Sequence, residues 1–301
     1  MLLSAFIKES TARLENLYPS PEARGMVLML CRERLGVESW THIVEPAREV
    51  PSGALDALRS EVERMAEGEP LQYVLGYAEF RGRRFKVSPS VLIPRPETEE
   101  LVEKALVFLK TLDRPARALD LCTGSGCIAW SVALEAPGTD VSAVDISADA
   151  LALAGQQFSA GDGDGYAFRA GHKDIHGSVP APVFLQADIL GEIPASVEGP
   201  FDLILSNPPY IMDSEKAAMR RNVLDFEPGL ALFVPDSDPL LFYRAVARWS
   251  SELLAPGGLG IVEINETLGE ETAAVFRDAG FGKLSVFRDF FNKNRFVTFQ
   301  K

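Results

Sequence analysis

Apolar side chains recur at helical intervals through MLLSAFIKESTARLENLY at 1–18 and predict a helix over 2–17. A second helix opens at Ser20 with Pro21 in its first turn, where a missing N–H costs nothing, and a third runs from Ser52 to near Gly68. Residues 1–75 therefore read as a small helical domain. The period then changes. EFRGRRFKV alternates around a glycine turn as a β-hairpin does, and the loop SPSVLIPRPETEE follows it. Residues 76–95 are expected to form a hairpin linker between domains.

From 96 to 301 short apolar runs alternate with amphipathic ones. A helix is expected to start near Pro96, then the strand RALDL (117–121), a glycine-containing loop, and a helix near Ile128. The strand DVSAVD (140–145) and a helix capped by Ser147 follow, then the strands VFLQAD (183–188) and FDLILS (201–206), a helix over 239–254 and the strand LGIVEI (259–264). This alternation predicts an α/β fold: a doubly wound, mostly parallel sheet with helices on both faces. LSVFRD and RFVTFQ are joined by too few residues for a crossover helix, so the last strand is expected to be antiparallel. No internal repeat is evident.

The chain has 301 residues, 47% of them apolar, enough for one large core and a smaller one. Its 30 basic and 43 acidic residues give a net charge of −13, which repels phosphate backbones and argues against direct nucleic-acid binding. RGRRFKV at 81–87 is the one strong basic patch, and its plain reading is a solvated hairpin turn. Cys31, Cys122 and Cys127 form no CxxC spacing and cannot all pair, so they read as small core residues in a reducing compartment. Charge interrupts the first apolar stretch too early for a signal peptide, and no later run reaches membrane-spanning length. The expectation is a cytoplasmic protein with no membrane partner.

In such sheets ligands sit beyond the carboxyl ends of the strands. The first of these ends carries LDLCTGSGC, where Gly124 and Gly126 allow a tight turn close to a ligand and the next helix points its amino-terminal dipole into the same space. GSGCIA also satisfies the GxGxxG/A pattern, with Asp145 about twenty residues on, where a ribose-binding acid belongs. Alone, this loop is compatible with either a nicotinamide cofactor or S-adenosylmethionine. Asp188 closes the third expected strand, where it could accept from an adenine amino group or simply cap a turn.

The fourth end is Asn207, Pro208, Pro209 and Tyr210, a tetrapeptide with no evident use in hydride transfer. It suits methylation of an amide or aromatic amine. The lone pair of such an NH2 is delocalised, and two acceptors off its plane, one for each N–H, favour the pyramidal transition state. Asn207 offers its side-chain oxygen and Pro208 its carbonyl. The prolines have no competing N–H and hold φ, so both acceptors are aimed in advance. Tyr210 can cover the planar group by stacking. The plain alternative is an ordinary strand-to-loop turn, since Asn and Pro are common there.

SNPPYI, with DLCTGSGCIA upstream, resembles the amino-group methyltransferases that use S-adenosylmethionine. PLQYVLGYAEFRGRRFKVSPSVLIPRPETEELVE (70–103), FEPGLAL (226–232), GGLGIVEI (257–264) and RDFFNKNRFV (288–297) narrow the resemblance to the HemK/PrmC family. These are protein-(glutamine-N5) methyltransferases acting on the GGQ glutamine of peptide-chain release factors. The resemblance implies the seven-stranded class I methyltransferase sheet at 96–301 and a release-factor docking domain at 1–75. It implies that Asp120 and the loop Cys122, Thr123, Gly124, Ser125 and Gly126 hold the cofactor, with Asp145 at the ribose and Asp188 and Ile189 near adenine. Asn207, Pro208, Pro209 and Tyr210 would hold the glutamine, Asn207 also meeting the cofactor, while Arg95, Glu97 and Thr98 line the entrance. Asn207, Pro208 and Tyr210 would be catalytic.

Many methyltransferases have glycine where Cys122 stands, so this loop must accommodate a Cβ. Ile189 can pack on adenine but cannot stack. GDGDGYAFRAGHKDIHGSVPAP (161–182) looks like an extension; helical spacing could put His172 and His176 on one face with Asp174 between them, but the surrounding glycines and prolines disfavour a helix. Asp162 and Asp164 lack the later oxygen ligand and closing Glu of an EF-hand, so a solvated loop and no metal are expected. Two other classes stay in view: a nucleic-acid amino methyltransferase, disfavoured by charge, and a nucleotide-binding oxidoreductase, which would bind nicotinamide.

Overall fold

The computed structural model describes residues 1–158 and 180–301. The extension expected at 161–182, with its aspartates and histidines, lies outside the described residues apart from 180–182. The chain forms two units, one of Met1–Tyr77 with Met219–Phe226, the other of Ala78–Ala218 with Glu227–Lys301.

The first unit is helical: α1 (Leu3–Leu14), α2 (Ser20–Leu35), α3 (Thr41–Val44), α4 (Ser52–Ala66) and α5 (Leu71–Leu75). Leu3, Phe6, Ile7 and Leu14 of α1 meet Val27, Leu30 and Cys31 of α2 and Leu58, Val62 and Met65 of α4 in its buried interior, at the three- and four-residue spacing of one helix face. The first helix stops at Leu14, short of the expected 17, and 15–17 continue as a turn in which the Leu17 and Tyr18 N–H groups both donate to the Leu14 carbonyl. Two helices of a single turn, α3 and α5, escaped the periodicity because they are too short to display it.

The hairpin at 76–95 is β1 (Tyr77–Phe80) and β2 (Arg83–Lys86), joined by Arg81 and Gly82 at φ 49° and 70°. Two left-handed residues in a row make the tight turn that suits strand twist. The turn is pinned rather than solvated. Arg81 pairs with Glu103 at 3.1 Å and Glu135 at 2.6 Å, and the buried Arg83 reaches the same Glu135 at 2.5 Å.

The second unit continues with α6 (Thr98–Leu109), β3 (Ala116–Leu121), α7 (Cys127–Glu135), β4 (Thr139–Asp145), α8 (Ala148–Ala154), β5 (Val183–Gln186) and β6 (Phe201–Ser206). After β6 come β7 (Ile211–Met212), a 3-10 turn, and α9 (Arg221–Phe226), which belongs to the helical unit. Then β8 (Phe233–Val234), α10 (Leu241–Leu253), β9 (Leu254–Glu263), α11 (Gly269–Asp278), β10 (Gly282–Arg288) and β11 (Asn294–Gln300) complete the chain. Seven strands form one sheet in the order β10-β11-β9-β6-β3-β4-β5. All its pairings are parallel except those of β11, which is antiparallel to both neighbours. Ala118, Leu203, Leu205, Ile261 and Phe296 pack on α6 and α7, while Leu119, Leu121, Ile204, Val262 and Val297 face α10 and α11. The two-residue alternation along each strand thus fills a core on either side.

β5 ends at Gln186, so Asp188 lies in the loop beyond it rather than closing the strand. Pairing with β4 stops at Asp145, whose carbonyl takes the N–H of Ala187, and the chain then turns. Among the described residues no helix is long and apolar enough to cross a membrane.

Candidate active site

Strand order reverses between β3 and its neighbours β4 and β6, which opens a crevice at their carboxyl ends. Register levels these ends: Leu121 pairs with Val144 and Ser206, and Ser206 pairs with Val262. The next residue of each strand, Cys122, Asp145, Asn207 and Glu263, therefore forms one row of chemically capable side chains.

The loop after β3 begins with strain. Cys122 has φ 61°, a region L-residues with a Cβ seldom adopt. The turn is held by Thr123, whose N–H reaches the Val144 carbonyl at 3.0 Å and whose hydroxyl donates to Asp120 Oδ2 at 2.6 Å. Gly124 N–H donates to Asp145 Oδ2 at 2.8 Å, and Ser147 N–H to Oδ1 at 2.9 Å. The two glycines serve different ends. A Cβ on Gly124 would meet nothing within 4 Å, whereas one on Gly126 would strike Ala154 at 3.1 Å, Trp130 at 3.2 Å and Phe184 at 3.3 Å. Gly124 keeps the cradle open; Gly126 lets α7 pack against α8 and β5.

Burial pushes the Asp120 carboxyl up to about 7, against hydrogen bonding from the Thr123 hydroxyl and the Ala129 backbone, and no side chain or backbone group among the described residues makes a well-formed hydrogen bond to its buried Oδ1. Asp145 is also raised by burial, although two backbone N–H groups hold its charge in place. The Cys127 thiol is pushed by burial to about 12 and is no nucleophile. Asp188 Oδ1 caps its own turn through Leu190 N–H at 2.8 Å. Ile189 is buried, and its carbonyl is gripped by Trp249 Nε1 at 3.0 Å and Arg248 at 2.8 Å.

Asn207 Nδ2 donates to Thr98 Oγ1 at 3.3 Å. That hydroxyl donates in turn to Glu263 Oε2 at 2.7 Å, and the Tyr210 hydroxyl donates to Glu263 Oε1 at 3.0 Å. Asn265 Nδ2 holds the Tyr210 carbonyl at 3.2 Å. Asn207 Oδ1 and the Pro208 carbonyl receive no hydrogen bond from the described residues. Burial raises the Glu263 carboxyl despite its two hydroxyl donors and the nearby Arg295. At the other wall, Glu227 takes Arg95 Nη2 at 2.6 Å and the Ile93 N–H at 3.1 Å.

One cavity of about 330 Å³ gathers Arg95, Thr98, Cys122, Thr123, Gly124, Ser125, Asp145, Asp188, Ile189, Asn207 and Pro209 among its lining residues. Glu97, Asp120, Gly126, Pro208 and Tyr210 do not line it; Asp120 and Tyr210 lie behind the wall as partners of Thr123 and Glu263. Sequence reasoning missed Glu263, Glu227 and Asn265. Glu263 carried a usable signal, an acid closing an apolar strand just as Asp145 does. Glu227 and Asn265 sit in loops and carried none.

These residues fit S-adenosylmethionine. The Gly124 cradle leaves room where any side chain would intrude, Asp145 keeps acceptor capacity for hydroxyls, and Pro228, Leu230 and Phe242 give the cavity an apolar wall.

Residues 5–76 match the PrmC N-terminal domain family, and residues 100–225 the Methyltransferase small domain family. A release factor glutamine methyltransferase from Bacteroides thetaiotaomicron is 37% identical over 98% of this chain and 98% of its own length. Another from Flavobacterium psychrophilum is 37% identical over 78% of this chain and 76% of its own. A solved protein-(glutamine-N5) methyltransferase (release factor-specific) from Alicyclobacillus acidocaldarius is 29% identical, matching 72% of this chain and 99% of that one with a TM-score of 0.40.

Proposed function

We infer that this chain, which belongs to the family of release factor glutamine methyltransferases, moves a methyl group from S-adenosylmethionine to the side-chain nitrogen of the GGQ glutamine in a peptide-chain release factor. The observation that carries this reading is a pair of unspent acceptors, Asn207 Oδ1 and the Pro208 carbonyl, at the end of β6. The Asn207 nitrogen is already committed to Thr98.

When bound, the cofactor supplies an electrophilic methyl group on a sulfonium. The protein's task is to make a carboxamide nitrogen nucleophilic. Each acceptor takes one N–H of the substrate amide and draws its lone pair out of conjugation, which favours the transition state over the planar ground state. Pro208 and Pro209 hold the acceptors still, and Tyr210, pinned behind the wall through its hydroxyl to Glu263, fixes the end of the tetrapeptide. No side chain of shifted acidity has to remove the proton, which leaves readily once the nitrogen is alkylated. The loop Cys122–Gly126 and Asp145 would hold the cofactor, with Arg95 and Thr98 at the entrance. The helical residues 1–75 would dock the release factor. Cysteines with no disulfide partner accord with a cytoplasmic location.

The test is to incubate the protein with labelled S-adenosylmethionine and candidate release factors, nucleic acids and peptides, then locate the label by mass spectrometry. Label on a GGQ glutamine is expected; label on an adenine would overturn the reading. Asn207→Ala should lower turnover at least about a hundredfold with cofactor affinity little changed. Equal loss of both would make Asn207 a structural residue.

A further inference from the structure

Glu263 touches neither the cavity nor Asn207, yet it sits one hydroxyl away from the acceptor that matters most. We propose that Glu263 is a positioning residue that sets which way round the Asn207 amide lies, acting through the Thr98 hydroxyl. This rests on the glutamine-methylation reading above.

An asparagine amide presents an oxygen on one side and an NH2 on the other, and the two have nearly the same shape. Turned one way, Asn207 gives the substrate an acceptor; turned the other, it gives a second set of donors that meets the substrate's own N–H groups and repels them. Packing alone discriminates poorly between the two. A hydroxyl has one proton, however, and Thr98 directs its proton to Glu263 Oε2 at 2.7 Å. Only a lone pair then remains to face Asn207, and only the nitrogen end can answer it, at 3.3 Å. Oδ1 is turned away from Thr98 and left unspent. Tyr210 fills the other oxygen of the same carboxylate at 3.0 Å, so neither oxygen is free to accept the Asn207 amide directly.

The carboxylate is buried, and among the described residues the Arg295 charge favours its ionised form while that of Glu97 opposes it. Desolvating such a charge opposes folding, so the polarity it imposes, rather than stability, is what it contributes. Glutamine at this position has the same shape, but its NH2 can donate to Thr98, which frees the hydroxyl proton to turn towards Asn207 and reverse the amide.

The experiment compares full-length wild type with Glu263→Gln, Thr98→Val, the double variant and Thr98→Ser, using a GGQ-loop peptide and labelled S-adenosylmethionine. Glu263→Gln should lower kcat at least about tenfold, leave the cofactor Kd within about twofold, and leave Tm unchanged or raised. Thr98→Val should lose a similar factor, and the double variant no more than the worse single one, because both break one chain. Thr98→Ser, which keeps the hydroxyl, should retain most activity. With 15N labelling, an Asn207 side-chain amide proton should be protected from exchange in wild type and unprotected in Glu263→Gln. Multiplying losses, a fall in Tm with the fall in kcat, or unchanged protection would overturn the proposal. If wild type methylates no glutamine, it is the functional reading that fails, while amide protection and Tm still test the relay.

Discussion

Cys122 holds a left-handed backbone angle at the point where the first strand turns into the cradle. Its thiol packs against the core on the α10 side, so the residue exchanges strain for burial. A β-branched side chain cannot make that exchange, because its second heavy atom clashes with the backbone at positive φ. Cys122→Val should destabilise the protein by about 2 kcal/mol, and Cys122→Gly by less than about 1 kcal/mol, since relief of strain is offset by greater freedom of the unfolded chain. Urea unfolding of the two variants checks the ordering. Asp120 offers a second test. Burial raises its carboxyl from the ordinary 3.8 to about 7, so the stability it contributes is complete below 3.8 and is lost as pH rises through 7. Asp120→Asn keeps an acceptor for Thr123 but cannot ionise. Its Tm should exceed that of wild type at pH 8 and fall less between pH 4 and 8; a wild-type slope would mean that Asp120 does not titrate in this range.

At the scale of elements, β9 and β11 meet through an unusual pair. Gly260 lies opposite Phe299, and a Cβ there would stand 2.0 Å from the ring. The ring cannot retreat, because it stacks on Phe276 at a centroid distance of 4.0 Å. Gly260→Ala should therefore cost roughly 3 kcal/mol in chemical denaturation, the upper range for overpacking a filled core. The seven strands of the main sheet were legible in sequence as short apolar runs, and β11 was recognisable as antiparallel from the short link before it. By contrast, β7 and β8 are two residues each and too short to show a pattern, and the start of β9 at Leu254 is hidden by its Pro-Gly-Gly. What escaped has physical causes. The helix α11, GEETAAVFRD, shows its one-sided apolar pattern over only ten residues between two strands, and its first turn is acidic rather than apolar. The basic run of the hairpin looked solvated because its partner Glu135 lies more than fifty residues away, and only folding brings them together. The acceptors Asn207 and Pro208 could be named because their chemistry is local to four residues. Glu263 acts through Thr98, and no spacing in the chain records that Thr98 donates to it.

For the molecule as a whole, charge decides what it can approach. A net charge of −13 and a pI near 4.8 give a surface that releases few counterions from a polyanion, and the strongest basic run is engaged with Glu103 and Glu135. Filter binding at about 0.15 M salt should give an affinity for RNA or duplex DNA weaker than about 100 μM. Micromolar, salt-sensitive retention would bring back the nucleic-acid methyltransferase.

The helical unit is not one continuous stretch of chain, for Met219–Phe226 belongs to it and Glu227, the next residue, binds Arg95. Trading the first 77 residues with those of a relative would thus import a bundle whose closing piece still comes from the host. A faithful hybrid needs two grafts, the smaller spliced between Tyr210 and Glu227.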